Sequence, residues 1–344
     1  MTIYRLLKIA GLKSVPGFAK LLGLYYLIAT RKRFLGVFFD PMLSCNLRCK
    51  MCYFSNPEKR EDLHGVVSTS TIDDVRRLLL PYAMKFQIGC GAEPTLFPQL
   101  KEMVKTAREA KVPYISLTTN GQLIGSGKTD LNSLVEAGLS EITLSLHATN
   151  KEDYEDLMPG AHFDILMKTL NKIGEVKRRW PDFAVRVNFV VNSQNYLCLK
   201  ENNFFDIWDK CGLQPDIIQL RPVQKIGETE WTDFDNSFLQ EEYESTVGNV
   251  VKRAKERGIR CLFPSLKELE TIDSAPSNSA ALMEDISYCY VSPRFFYKDD
   301  FDPSDTLFSY HRRKKTKLRL LRSIFRPDRS HKKDVTKKLN YRIS

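Results

Sequence analysis

The sequence predicts an α/β chain built as an incomplete (β/α)6, TIM-like barrel with basic helical extensions at both ends. Three observations carry that reading. From residue 35 onward, short apolar runs rich in β-branched and aromatic residues alternate with amphipathic helical patterns. The residues able to do chemistry fall just after those runs, where such a barrel places its active site. The charge is partitioned as well. Of a formal net charge of +10, residues 1–34 hold +7, residues 312–344 hold +12 and residues 35–311 hold −9. The basic character therefore belongs to the ends, and the acidic body offers no phosphate track for nucleic acid.

The elements follow in order. Residues 1–34 form a basic, apolar extension, helical over Leu6–Ala29 and broken near Pro16-Gly17. Strands are expected at Leu35–Phe39, Phe86–Gly89, Tyr114–Thr118, Glu141–Leu146, Ala184–Val191 and Ile217–Leu220. Between them, Thr71–Ala83 reads as a helix capped by Ser70 or Thr71, and Gln99–Ala110 as one opened by Pro98. Asp164–Lys177 carries Ile165, Leu166, Thr169, Leu170 and Ile173 at helical spacing. Such strand–helix repeats imply parallel strands joined by right-handed crossovers. Asn236–Gly258 reads as a last long helix, ending a core of residues 35–258. Residues 259–311 read as loop-rich and 312–344 as a basic amphipathic tail.

Composition excludes other classes. Hydrophobic residues at 42% and charged residues at 27% are ordinary for a globular chain, so wholesale disorder and multispan membrane classes fall away. The apolar stretch Leu21–Ala29 is too short to span a bilayer, and no cleavable signal peptide is expected. Eight cysteines in 344 residues are too sparse for a disulfide scaffold. A reducing, cytoplasmic setting is expected.

Three of those cysteines sit within eight residues, as Cys45-Asn-Leu-Arg-Cys49-Lys-Met-Cys52. Thiolates in that spacing suit three irons of a [4Fe–4S] cubane and leave the fourth iron open for a ligand. Taken alone, they also suit a zinc site completed by Cys90 or His64.

With Gly91-Ala92-Glu93 following the second expected strand, the chain resembles the radical S-adenosylmethionine (SAM) superfamily over roughly residues 35–225. The resemblance implies one cluster on Cys45, Cys49 and Cys52, with Met51 in the position that is usually aromatic. It implies SAM on the open iron, its methionyl ammonium oriented by Gly91, Ala92 and Glu93, and polar contacts from Asn120 and Ser145. Ala92 replaces the second glycine of the family motif, a change tolerated at negative φ. An arginine that relatives use for the SAM carboxylate is missing near Leu157 and Met158, which leaves Arg186 or Arg221. Arg186 and Asn188 line the barrel if they face inward; the alternative is the solvent side of a strand end. His147 is either a ribose or substrate contact or a satisfied structural histidine.

The chemistry implied is reductive cleavage of SAM and hydrogen abstraction from a substrate by the 5′-deoxyadenosyl radical. An external reductant of the flavodoxin or ferredoxin type supplies the electron. The substrate is unassigned among small molecules, lipid- or glycan-linked intermediates and peptides, and no side-chain acid or base is named. Cys261 and Cys289 are too few for an auxiliary cluster, and none is expected. Tyr288–Pro293 reads as a degenerate remnant of a SPASM-type extension. Two other readings stay open: a radical SAM RNA methyltransferase, suggested by Ser145-Leu146-His147-Ala148 and the basic tail, and a zinc-bearing binding protein.

In the tail, Lys317–Arg326 sets Leu318, Leu321 and Phe325 beside Ile324 with arginines elsewhere. Such a helix suits peripheral contact with the inner face of a membrane, or docking on the barrel.

Overall fold

Strand β5 (Ala184–Val191) shows how the sheet is built. Val185, Val187, Phe189 and Val191 are buried in the main core, while Arg186, Asn188 and Val190 alternate onto the opposite, less covered face. A two-residue period in a parallel strand means that one face packs under helices and the other lines something polar. The computed structural model describes residues 15–200, 203–225, 227–270 and 278–325. Within them one sheet contains β1 (Leu35–Phe39), β2 (Ala83–Ile88), β3 (Ile115–Thr119), β4 (Glu141–Ser145), β5, β6 (Ile217–Pro222), β7 (Arg260–Leu262), β8 (Tyr288–Ser292) and β9 (Phe295–Tyr297). Their order is β7-β6-β5-β4-β3-β2-β1-β8-β9, parallel throughout except for β9, and the ends do not meet. The barrel is open, and all six expected strands are present within a few residues.

The departures have local causes. Residues 259–311, expected to be loop-rich, supply β7, β8 and β9 among the described residues. Tyr288–Ser292, read as a remnant, lies parallel against β1, with Phe38 opposite Tyr290. The inner wall therefore gains strands on both flanks of the six expected. Strands of three residues are too short to carry a period, which hid β7 and β9. The helix expected at Thr71–Ala83 starts earlier, at Thr69, because Ser68 Oγ caps it by accepting from the Thr71 N–H at 3.1 Å. It then passes through a wide turn at Val75–Leu79 and a tight one at Leu80–Tyr82, where Pro81 has no N–H to give.

The long helix expected at Asn236–Gly258 is broken into Ser237–Glu241, a wide turn at Glu244–Gly248 and Asn249–Glu256. Thr246 Oγ1 donates to the Glu242 carbonyl at 2.6 Å and the Gly248 N–H reaches the Tyr243 carbonyl, displacing the regular ladder. Cys198 and Cys211 sit on helices and are buried in the core.

The described part of each extension docks. Helix Gly17–Ala29 buries Leu21, Leu24 and Ile28, and helix Thr316–Phe325 packs beside it through Leu320. Residues 1–14 and 326–344 lie outside the described residues. No described helix is long and apolar enough to cross a membrane.

Candidate functional site

The site forms where β1, β2 and β3 end. The chain leaves β1 at Asp40 and enters the cysteine loop, which is pinned from two sides. The Arg48 and Lys50 N–H groups donate to the carbonyls of Pro159 and Leu157, at 2.9 and 3.0 Å, and the Glu93 N–H donates to the Ser44 carbonyl at 2.9 Å. Asn120 Nδ2 donates to Asn46 Oδ1 at 2.9 Å, joining the loop to the end of β3. These bonds fix a loop with no regular structure of its own, as a preformed ligand cradle requires.

The three thiols are close enough to disturb one another. Burial and neighbouring Glu93 push Cys45 up to about 12, and burial alone pushes Cys52 to about 11. Cys49, between the other two, is pushed well above the usual thiol value by burial and then by both. Without a cation the three would be neutral thiols; an iron cluster would hold them as thiolates. Among the described residues no three His, Cys, Asp or Glu side chains converge on a single ion. His64 Nδ1 lies instead 3.2 Å from the Glu61 carbonyl oxygen, and Cys90 is held by its N–H on Asp40. Cys49 feels both Cys45 and Cys52, so the three thiols lie together as the donor set that three irons of a cubane take.

The loop after β2 is the second half. Gly89 has φ +80°, and a Cβ there would sit 2.5 Å from the Thr118 carbonyl oxygen and 2.6 Å from Pro94, so glycine is required. Ala92 is not among the residues at positive φ, which accommodates its methyl group. Glu93 is buried, and burial raises its carboxyl, opposed by four donors. Oε1 accepts from the Thr95 N–H, Thr95 Oγ1 and Thr119 Oγ1; among the described residues Oε2 accepts only the Asn120 N–H, at 2.9 Å. One oxygen is saturated and the other keeps room for a further donor.

Three residues that sequence reasoning missed hold this loop. Asp40 accepts from the N–H groups of Cys90 at 2.7 Å and Gly91 at 3.0 Å, and from Tyr290 Oη at 2.7 Å. Tyr53 Oη donates to the Gly91 carbonyl. Tyr53 follows Cys52 directly, which was a usable signal; Asp40 and Tyr290 are 250 residues apart and left none.

The remaining candidates separate by depth. Met51 is buried in the main apolar core. Asn120 has its side chain committed, through Nδ2 to Asn46 and through Oδ1 to the Gln122 N–H. Ser145 and Asn188 are register partners, and Asn188 Oδ1 is buried without a partner. Arg186 lies deeper, its Nη2 on Glu141 at 3.0 Å and its Nε unpaired. His147 accepts the Val190 N–H on Nδ1, and burial, then the charge of Arg221, lowers its pKa to about 4, so it is neutral. Arg221 makes no ion pair among the described residues. Cys261 on β7 and Cys289 on β8 are near opposite ends of the strand order.

Known proteins share both sequence and fold with this chain. Residues 40–190 match the family model of the Radical SAM superfamily. A probable GTP 3′,8-cyclase of Methanococcus maripaludis is 30% identical over 207 residues, covering 57% of this chain and 67% of that protein. One from Metallosphaera sedula is 28% identical over 218 residues, covering 62% of this chain and 63% of that protein. The match thus spans about six-tenths of the Metallosphaera relative's length. In fold, the chain is similar to SuiB of Streptococcus suis bound to S-adenosylmethionine, with a TM-score of 0.57 at 17% identity, over 83% of this chain and 67% of that one. With its cysteine loop and glutamate loop joined at the mouth of an open parallel barrel, the chain belongs to the radical SAM superfamily.

Proposed function

We propose that this enzyme holds one [4Fe–4S] cluster through Cys45, Cys49 and Cys52, seats SAM against Gly91, Ala92 and Glu93, and removes a hydrogen atom from a polar substrate over the inner face of the sheet. The observation that carries the reading is the pair of ties, Ser44 to Glu93 and Asn46 to Asn120, that hold the two loops at one mouth. When bound, the cluster and SAM supply the one-electron cleavage of the sulfonium and the radical that takes the hydrogen. The side chains bind and orient. Glu93 Oε2, with its spare acceptor capacity, takes the methionyl ammonium in a charge-assisted bond. Asn188 and Ser145 face the ribose end, and Arg221 takes a carboxylate. An external one-electron donor of the flavodoxin or ferredoxin type completes the cycle, in a reducing cytoplasm.

The inner face also supports a statement about the substrate. Gln87, Ser116, Thr118 and Thr143 line it, above a charged floor of Lys85, Glu141 and Arg186. Lys85 and Arg186 both face Glu141, and among the described residues of this face Arg221 is the cation without an ion pair. A single such cation suits SAM or a singly charged substrate and falls short of a triphosphate. We therefore propose a polar, singly anionic or zwitterionic substrate for this chain, in contrast to the nucleotide named for the curated relatives.

Anaerobic reconstitution tests both statements. The expected product is a brown protein with about four irons per chain that releases 5′-deoxyadenosine from SAM under dithionite, unchanged by GTP. Cys49→Ala abolishes both. Stoichiometric zinc without deoxyadenosine would overturn the proposal, and strong stimulation by GTP would overturn the substrate class.

A further inference from the structure

We propose that the two docked terminal helices form a binding face for anionic phospholipid. The basic residues of this region fall into two sets. Arg313, Lys314 and Arg319 are spent on the body, paired with Asp305, Asp300 and Asp285. Arg312, Lys315 and Lys317 are exposed and make no ion pair among the described residues. Together with Arg31, whose guanidinium lies over the Phe308 ring, they surround a groove of about 370 Å3 floored by Ile28 and Leu318. No described carboxylate lines it. Four cations around an apolar floor match a phosphate headgroup above its acyl chains.

The neighbouring surface has the same chemistry. On helix Gly17–Ala29, Phe18, Leu22 and Tyr26 are 57, 53 and 53% exposed. They recur every four residues on the face away from Leu21, Leu24 and Ile28, and the stripe runs on to Ala29 in the groove. Lys32 Nζ lies 3.0 Å from Tyr26 Oη at the end of that stripe. Apolar side chains in a row beside unpaired bases form the pattern of a helix lying in a membrane interface.

Residues 1–14 carry three bases and no acid, and 326–344 carry seven bases and two acids, charge of the same sign as the groove and not complementary to it. The groove also lies at the foot of the barrel, since Arg33 donates to the carbonyls of Leu80 and Ala83 at the start of β2. The cysteine loop is at the opposite ends of the strands, so a bound enzyme keeps its mouth in the aqueous phase.

The test is co-sedimentation of the full chain with phosphatidylglycerol and with phosphatidylcholine vesicles at low and high salt. Binding is expected only to phosphatidylglycerol, weakened by salt. The triple variant R312Q/K315Q/K317Q should lose about a hundredfold in affinity. Phe18→Ser with Leu22→Ser should lose binding while its circular dichroism melt is unchanged. Equal binding by wild type and the triple variant would overturn the proposal. So would loss of binding on deletion of 326–344 alone, which would assign the contact to the tail, and so would competition by inorganic phosphate as strong as by vesicles.

Discussion

At Asp40 a buried carboxylate is kept for three hydrogen bonds. Burial pushes it up to about 6, and the donors from Cys90, Tyr290 and Gly91 pull it back, so it is ionised at neutral pH. Being raised above its unfolded value, its ionised form works against folding: its contribution is full below about pH 4 and is lost as the pH rises through 6. A group that costs stability at working pH yet sits at the root of the Gly91 loop is a positioning residue. Asp40→Ala removes the acceptor from three donors, each costing about 1–3 kcal/mol when left buried and unpaired, offset by removal of the buried charge. Iron content should hold while the dissociation constant for SAM rises about tenfold, a loss of ~1.4 kcal/mol in binding. Tyr290→Phe should give a smaller rise in the same direction. Unchanged SAM affinity in Asp40→Ala would show that the loop holds itself.

Glycines test how closely the elements are packed. Helix Gln122–Gly125 meets helix Phe163–Arg179 at Gly125, where a Cβ would lie 2.2 Å from the Ile165 carbonyl oxygen and 2.5 Å from Thr169 Oγ1. Backbone cannot give way there, so Gly125→Ala should destabilise by about 1–3 kcal/mol, in the range found for overpacking. Gly23, mid-helix with nothing within 4 Å, has no such constraint. Gly23→Ala should raise stability by up to about 1 kcal/mol through helix propensity. Paired urea melts read both, and a shift of the same sign in the two variants would defeat the packing argument. The same distinction explains what was legible in the sequence. Strands β1 to β6 declare themselves through apolar runs, and Cys45, Cys49, Cys52 and Glu93 through spacing, because both are local. The strand at Tyr288 and the bond from Tyr290 to Asp40 depend on partners far away in sequence, and the break near Gly248 turns on local hydrogen bonds that leave no mark on the hydrophobic period. Arg186 illustrates the middle case: the alternation in β5 set it on one face with Asn188, but neither which way that face points nor the engagement with Glu141 was readable.

Across the whole molecule, the C-terminal helices are tied down by a histidine. His311 is buried, Nε2 3.2 Å from Tyr297 Oη and Nδ1 3.0 Å from Thr316 Oγ1, at the first turn of the last described helix. Burial chiefly, then Lys298, lowers its pKa to about 4, opposed by Asp285 and helped least by Arg319. Its folded pKa lies below the unfolded 6.5, so the unfolded chain takes up the proton first as pH falls. The contribution of His311 is therefore full above about pH 6.5 and lost progressively toward pH 4. The loss is on the order of 2–3 kcal/mol. His147, lowered to about 4 by burial, acts in the same direction, and Asp40 acts against both. Thermal melts from pH 7.5 to 4.5 should therefore show a steeper decline in wild type than in His311→Gln, which starts lower but cannot acquire the charge. Hydrogen exchange places the effect: amides of Thr316–Phe325 should lose protection in acid before those of β1 to β5. Because that helix carries Lys317 and Leu318, acid should weaken vesicle binding in wild type through undocking, even though protonation adds positive charge. Parallel pH slopes in the two proteins, or uniform exchange across the sheet and the helix, would count against His311 as the fastening.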